Sequence, residues 1–192
     1  CYVIGDKKVG EAVIIDPAST EVLEALKKYD LKPKAVLLTH GHGDHIGGVQ
    51  GIVDAYDIPI YIQHDDVKYL SDPELNLSNY SNPTPIIVKG RIEEVREGDH
   101  ITCGSVDLTV YETPGHTPGG VCYYMPGLVF VGDTLFNQSI GRTDFVEGDY
   151  DTLIDAIKTK LYTLPDETMV YPGHGPETQI GYEKQYNPFV GA

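Results

Sequence analysis

Six consecutive positions, His40-Gly41-His42-Gly43-Asp44-His45, carry three imidazoles and a carboxylate. These are ligand types for zinc, iron or manganese, and the interleaved glycines would let a backbone turn sharply enough for neighbouring ligands to converge. With seven histidines in 192 residues, chance ordering gives His-x-His-x-Asp-His on the order of once in a thousand or more shuffled chains. The spacing therefore predicts a metal site. Three more residues of ligand type stand at glycine-flanked turns after apolar runs: His116 in Thr113-Pro114-Gly115-His116, Asp133 in Val131-Gly132-Asp133-Thr134 and His174 in Pro172-Gly173-His174-Gly175. Seven ligands are too many for one closed tetrahedral zinc site, so two ions are expected. His64 and His100 lack that setting and read as surface or capping histidines.

Apolar periodicity supplies the elements that must position these side chains. Residues 12–15 and 34–39 read as strands, the second a continuous Ala-Val-Leu-Leu run that suits burial on both faces and delivers the chain to His40. Between them, residues 20–29 carry a helical pattern. Ile46, Val49, Ile52, Val53 and Tyr56 recur at three and four, which predicts one helix over 44–56, beginning directly on the ligand cluster. Strand patterns follow at 58–62, 91–95, 100–102, 106–112, 120–125, 128–132 and 169–171. Residues 151–164 and 180–186 have helical character. Residues 65–90, with Pro73, Pro83 and Pro85, predict a short helix and a surface excursion. With no repeat or linker, residues 1–192 read as a single domain.

Composition narrows the partners. Against 14 Lys and Arg stand 29 Asp and Glu, and the net charge of −15 disfavours a phosphate backbone, so nucleic acid is not expected. No apolar run reaches the length of a membrane span. Cys1, Cys103 and Cys122 form no paired spacing, which fits a reducing, cytoplasmic setting. The first residue is Cys1, and residues 2–4 read as a strand already under way, so a preceding native segment is expected.

The run from His40 to His45, followed in order by His116, Asp133 and His174, resembles the metal motif set of the metallo-β-lactamase superfamily over nearly the whole chain. The resemblance implies an α/β (α+β) fold, a four-layer αββα sandwich of two mixed β-sheets, with a metal centre at one edge. It also implies that His40, His42 and His116 hold a first divalent ion, that Asp44, His45 and His174 hold a second, and that Asp133 bridges them. Zinc is the expected metal, with iron or manganese as alternatives. Asp44 and Asp133 are then the catalytic carboxylates. No Cys stands among the matched ligands, unlike the β-lactamase branches that place Cys on one metal.

Within the superfamily, Gly141-Arg142-Thr143-Asp144-Phe145 and Pro172-Gly173-His174-Gly175-Pro176 resemble glyoxalase II and its short bacterial relatives, which implies hydrolysis of a small-molecule thioester. Arg142, Tyr182 and Lys184 are the candidates for substrate contact. Glyoxalase II proper continues into a helical region with basic residues for glutathione, whereas 18 residues follow His174 here. The resemblance therefore carries the metal chemistry further than glutathione recognition. A related alternative is a persulfide dioxygenase with one iron on the equivalents of His40, His116 and Asp133, and a third is a metal-binding protein without catalysis.

Overall fold

Adjacent strands that are apolar at every position bury both faces of a sheet, and this sets the layering. The computed structural model describes residues 1–191. One sheet holds β1 (Tyr2–Asp6), β2 (Glu11–Ile15), β3 (Lys32–Leu37), β4 (Ile60–Gln63) and β5 (Ile92–Val95) in that spatial order. β1 and β2 are antiparallel, and the other pairs are parallel. The chain then forms β6 (His100–Cys103), β7 (Val106–Glu112), β8 (Val121–Met125) and β9 (Leu128–Gly132). A small hairpin of β10 (Leu135–Phe136) and β11 (Ser139–Ile140) precedes β12 (Met169–Pro172) and β13 (Thr178–Gln179). The second sheet runs β13-β12-β9-β8-β7-β6, with β12 parallel to β9 and the remaining pairs antiparallel.

Alternation along the strands sorts the core into three apolar layers. Val13, Ile15, Ala35 and Leu37 face the other sheet and pack with Leu108, Val110, Val121 and Tyr123. Their neighbours Ala12, Ile14, Val36 and Leu38 face outward, under helices α1 (Val22–Tyr29), α2 (Gly43–Ile46) and α3 (Val49–Tyr56). On the far side, Cys122, Val129, Val131 and Val170 pack under α5 (Tyr150–Thr159) and α6 (Ile180–Tyr186), a short α4 (Ser78–Ser81) having come before them in the chain. The result is the αββα sandwich expected from the sequence. No helix among the described residues is long and apolar enough to cross a membrane.

Two elements differ from the sequence reading. The single helix expected over 44–56 is α2 and α3, parted at Gly47-Gly48. There the loop after β2 presses in: Gly48 donates its N–H to Pro17 O at 2.7 Å, and a Cβ on Gly48 would stand 2.3 Å from Ser19 O. Periodicity cannot register a contact from a segment thirty residues away. In the region where prolines predicted an excursion, His64–Leu70 forms a 3₁₀ helix before α4.

Strand direction gathers the ligands. β7, β9 and β12 all point the same way, so the turns after them, with His116, Asp133 and His174, meet at one edge. Two bonds lash the end of β3 to that edge: Val121 donates its N–H to Thr39 O and the Tyr123 hydroxyl donates to Leu38 O, each at 2.8 Å. Tyr123 is fully buried, so Tyr123→Phe leaves a buried carbonyl short of a partner. Urea unfolding should show a loss of about 1–3 kcal/mol; an unchanged midpoint would mean that this lashing carries no stability.

Candidate metal centre

The four histidines His40, His42, His45 and His116 are buried, and their rings converge. His40 lies 4.8 Å from His42, 4.1 Å from His45 and 4.8 Å from His116, ring centre to ring centre. Hydrogen bonds to the outer nitrogens decide which nitrogen faces inward. Thr39 Oγ1 donates to Asp16 Oδ2 at 2.6 Å, so it can only accept from His40 Nδ1, 3.1 Å away, and His40 Nε2 keeps its lone pair. His116 Nδ1 donates to Arg142 O at 2.6 Å, and His45 Nδ1 to Asp16 Oδ2 at 3.0 Å. The inward Nε2 of His40 and of His116 is thereby set as an electron-pair donor, the state that metal ligation requires, and that of His45 becomes one when its second proton leaves.

Left without a cation, the inward nitrogens have little but one another to bond. His42 Nδ1 and His116 Nε2 stand 2.9 Å apart, and with His116 Nδ1 donating to Arg142 O, the proton between them belongs to His42 Nδ1. His40 Nε2, His45 Nε2 and Asp133 Oδ1 are buried with no hydrogen-bond partner. Buried polar atoms are seldom orphaned in this way, and three together facing one point fit a cation. Donor atoms of His40, His42 and His116 lie within 4.8 Å of one another, as do those of Asp44, His45 and His174. Asp133 stands between the two groups, with its oxygens 3.3 Å from His45 Nε2, 3.6 Å from His116 Nε2 and 3.5 Å from His174 Nε2. The seven residues expected as ligands are thus brought together, and the nitrogen and carboxylate donors suit a divalent metal. Asp16 also comes near His40 and His45, but Thr39 and the outer nitrogen of His45 occupy its oxygens.

Electrostatics separate His45 from the other three imidazoles. Burial, followed by repulsion from neighbouring imidazoles, holds His40 well below the ordinary histidine range and His42 at about 3. Burial also lowers His116. At His45 burial works against the charge, yet the carboxylates of Asp16 and Asp133 prevail and hold its proton up to about 10. Burial raises Asp133, but His45 outweighs it and the carboxyl ends below its usual range.

The two triads differ in access. The first is buried, whereas Asp44 and His174 are each 56% exposed and 2.9 Å apart at the rim. They open on a cavity of about 380 Å³ that His42, His116 and Asp133 also line and whose other walls are Asn76, Leu77, Ser81, Phe136, Arg142 and Phe145. Phe145 packs edge-on to His42 and His116, at 5.4 and 6.0 Å.

The candidates for substrate contact fare differently. Arg142 lines the cavity, but both Asp144 oxygens take its guanidinium at 2.8 Å, and it stacks 4.2 Å over Phe145. Tyr182 and Lys184 are not in this cavity: α6 docks through Ile180 against the outer core, which leaves Tyr182 bonded to Gln138 beside a separate recess and Lys184 paired with Asp166. His64 and His100 are exposed and paired with Glu94 and Asp107, as expected of surface histidines. The role expected of Gly41 also changes. Its backbone is not left-handed; a side chain there would stand 2.3 Å from Tyr69 Cβ, so packing demands the glycine. Asp16, Thr39 and Asp66 escaped the sequence reading, since an acid or a threonine beside a strand end is ordinary.

The metallo-β-lactamase superfamily profile matches residues 1–174. The chain belongs to that superfamily. It is 39% identical over 185 residues to a Bacillus subtilis protein named "Probable metallo-hydrolase YqgX", covering 94% of this chain and 87% of that one. It is 35% identical over 196 residues to hydroxyacylglutathione hydrolase GloC of Haemophilus influenzae, covering 99% and 92%. Among solved structures, BLEG-1 B3 metallo-β-lactamase superposes with a TM-score of 0.90 at 41% identity, covering 98% of this chain and 92% of that one. A di-iron-bound form of TTHA1623 gives 0.86 at 35%, covering 98% and 93%, and ETHE1 from Myxococcus xanthus gives 0.78 at 33%, covering 97% and 77%. These relatives support a metal-dependent hydrolase.

A pH effect follows for the metal-stripped protein. Folded pKa values of His40, His42 and His116 lie below 6.5, so as the pH falls through 6.5 the unfolded chain takes up protons that the folded one refuses. The contribution of these three residues to stability must then fall with acid. His42→Asn removes one such group and should flatten the slope by up to about 1.4 kcal/mol per pH unit. Urea melts of chelator-treated protein between about pH 4.5 and 6.5 check this; equal slopes would contradict the burial cost at His42.

Proposed function

We propose that the chain is a dinuclear metal-dependent thioesterase acting on a small-molecule thioester of the hydroxyacylglutathione kind or a related one. The second triad carries the reading. Asp44, His45 and His174 stand assembled beside the first group, with Asp133 between. A single iron on the equivalents of His40, His116 and Asp133 leaves that triad without a task. The likeness to a hydroxyacylglutathione hydrolase lends support. Zinc is the metal proposed, and a reducing cytoplasmic setting fits three free thiols, two of them buried.

Two bound divalent ions would supply hydroxide at neutral pH and polarise a carbonyl oxygen. The residues around them set what enters and what leaves. Leu77, Phe136 and Phe145 give the cavity apolar walls that exclude water from an acyl group. Asp44, at the rim, is placed to accept a proton from the attacking water and orient it. Beyond the metal ligands the described lining offers Asn76, Ser81 and a paired Arg142, none of them a general acid. An amine leaving group needs such an acid; a thiolate does not.

Thiol release from S-lactoylglutathione and from a simple neutral thioester, measured with a thiol reagent alongside metal content, tests the proposal. The expected result is two ions per chain and turnover that chelation abolishes and zinc restores. One iron per chain, with oxygen uptake on glutathione persulfide and no thiol release from either thioester, would overturn it, as would opening of a β-lactam without thioester turnover. His42→Ala should lower kcat/KM by more than ~100-fold, beyond what loss of an outer partner costs. His64→Ala should stay near the unaltered protein, and equal effects would place the site elsewhere.

A further inference from the structure

Asp66 is a fully buried carboxylate outside the ligand set. It lies in the 3₁₀ helix His64–Leu70, in the stretch where periodicity is weakest. Its oxygens accept three hydrogen bonds: Oδ2 from Gly41 N–H at 2.9 Å and from the Thr117 hydroxyl at 2.8 Å, and Oδ1 from Gly119 N–H at 2.7 Å. Gly41 is the residue between His40 and His42, and Thr117 follows His116. One carboxylate thus holds both loops that bring the first triad together.

A buried ionisable side chain costs stability unless its bonds repay the lost hydration, and an apolar residue of the same size is often cheaper. Burial pushes the Asp66 carboxyl up to about 6, against the pull of the bonds from Thr117, Gly119 and Gly41. Such a cost suits a task that an apolar side chain cannot do, namely fixing two backbone N–H groups and a hydroxyl from separate loops. The same segment holds the ligand loop again further along. Asn76 O accepts from Gly43 N–H at 2.7 Å, while Asn76 Nδ2 donates to Tyr69 O at 2.8 Å. The Tyr69 ring in turn lies 5.8 Å from His42, edge-on.

We infer that Asp66 is the positioning residue of the first triad, clamping the His40–His42 loop to the His116 loop so that their three nitrogens meet at a spacing that fits one ion. It touches neither ligand nitrogen. Its effect therefore falls on the affinity and geometry of one ion, and leaves Asp44, His45 and His174 alone. The inference rests on metal binding at these residues and is independent of thioester chemistry.

Asp66→Asn keeps the volume but exchanges one acceptor oxygen for an N–H. Placed at Oδ2, it faces the Gly41 N–H with a second donor. The test uses metal affinity by competition with a chromophoric chelator, together with the visible spectrum of the cobalt-loaded protein. It is made in two backgrounds, His174→Ala to weaken the second ion and His42→Ala to weaken the first. Asp66→Asn should weaken binding in the His174→Ala background by about 10–100-fold and alter its cobalt bands. In the His42→Ala background it should change affinity by less than about threefold. Thr117→Val, which removes one of the three bonds at nearly constant volume, should give a smaller loss of the same kind and decides the matter if Asp66→Asn does not fold. Equal losses in both backgrounds, or none in the first, would overturn the inference. Failure of the unaltered protein to bind any metal would overturn the site itself, whereas two tight ions without thioester turnover would spare the clamp and remove only the proposed function.

Discussion

Everything at the ligand edge depends on one constraint: buried polar atoms of ligand type must face a place where no protein group meets them. His40 Nε2, His45 Nε2 and Asp133 Oδ1, buried and without a hydrogen-bond partner, show it most directly. Left free, such a ring would turn to a better neighbour. Each is kept in place from outside, by Thr39 at His40, by Asp16 at His45 and by the Arg142 carbonyl at His116. Fixing the outer nitrogen fixes both the tautomer and the ring plane, and the fold therefore spends much of its buried polar bonding on a point where no protein atom stands.

The unequal burial of the two triads has a chemical meaning. An ion among buried imidazoles would be less open to solvent than one held by Asp44 and His174 at the rim, which would have more room for water. The apolar walls at Leu77, Phe136 and Phe145 begin where this rim ends. A molecule entering between them reaches the exposed pair first. Arg142, although it lines the same cavity, has its charge taken by Asp144 and its face by Phe145, so it shapes the wall more than it attracts an anion.

The ligands were legible in the sequence because all but His45 stand directly beside glycine, in turns that follow apolar runs, and a strand end is a local property. The layering was legible for the same reason: an unbroken apolar run such as Ala35 to Leu38 has no polar face to offer water. What escaped was set by contacts between distant segments. The break between α2 and α3 comes from Pro17 and Ser19, and the need for Gly41 comes from Tyr69. Asp66 looked like an ordinary surface acid beside Asp65, and only the fold brings Thr117 and Gly119, some fifty residues on, to its oxygens. Tyr182 and Lys184 were misplaced for a related cause, since helical spacing says which residues share a face and not what lies opposite it.

Asp16 shows how far such dependence reaches. Its carboxylate serves Thr39 N–H, the Thr39 hydroxyl and His45, and it can do so only because β2 and β3 pair in one register. That register contains an irregularity: Ala12 is opposite Pro33, but Val13 is opposite Ala35, so Lys34 is passed over. Without it Ile15 would face Val36, and an inward side chain would meet an outward one. With it Val13 and Ala35, then Ile15 and Leu37, lie together between the sheets, and one residue further on the first strand and two on the second, the Asp16 carboxylate meets Thr39. Because a slip of one residue turns every side chain to the other face, the same bulge that completes the core also brings the carboxylate to the imidazoles. Pro33, which has no N–H to give the ladder, sits at the irregularity, and a proline between Lys32 and Lys34 at the start of the strand is the trace of it that the sequence carries.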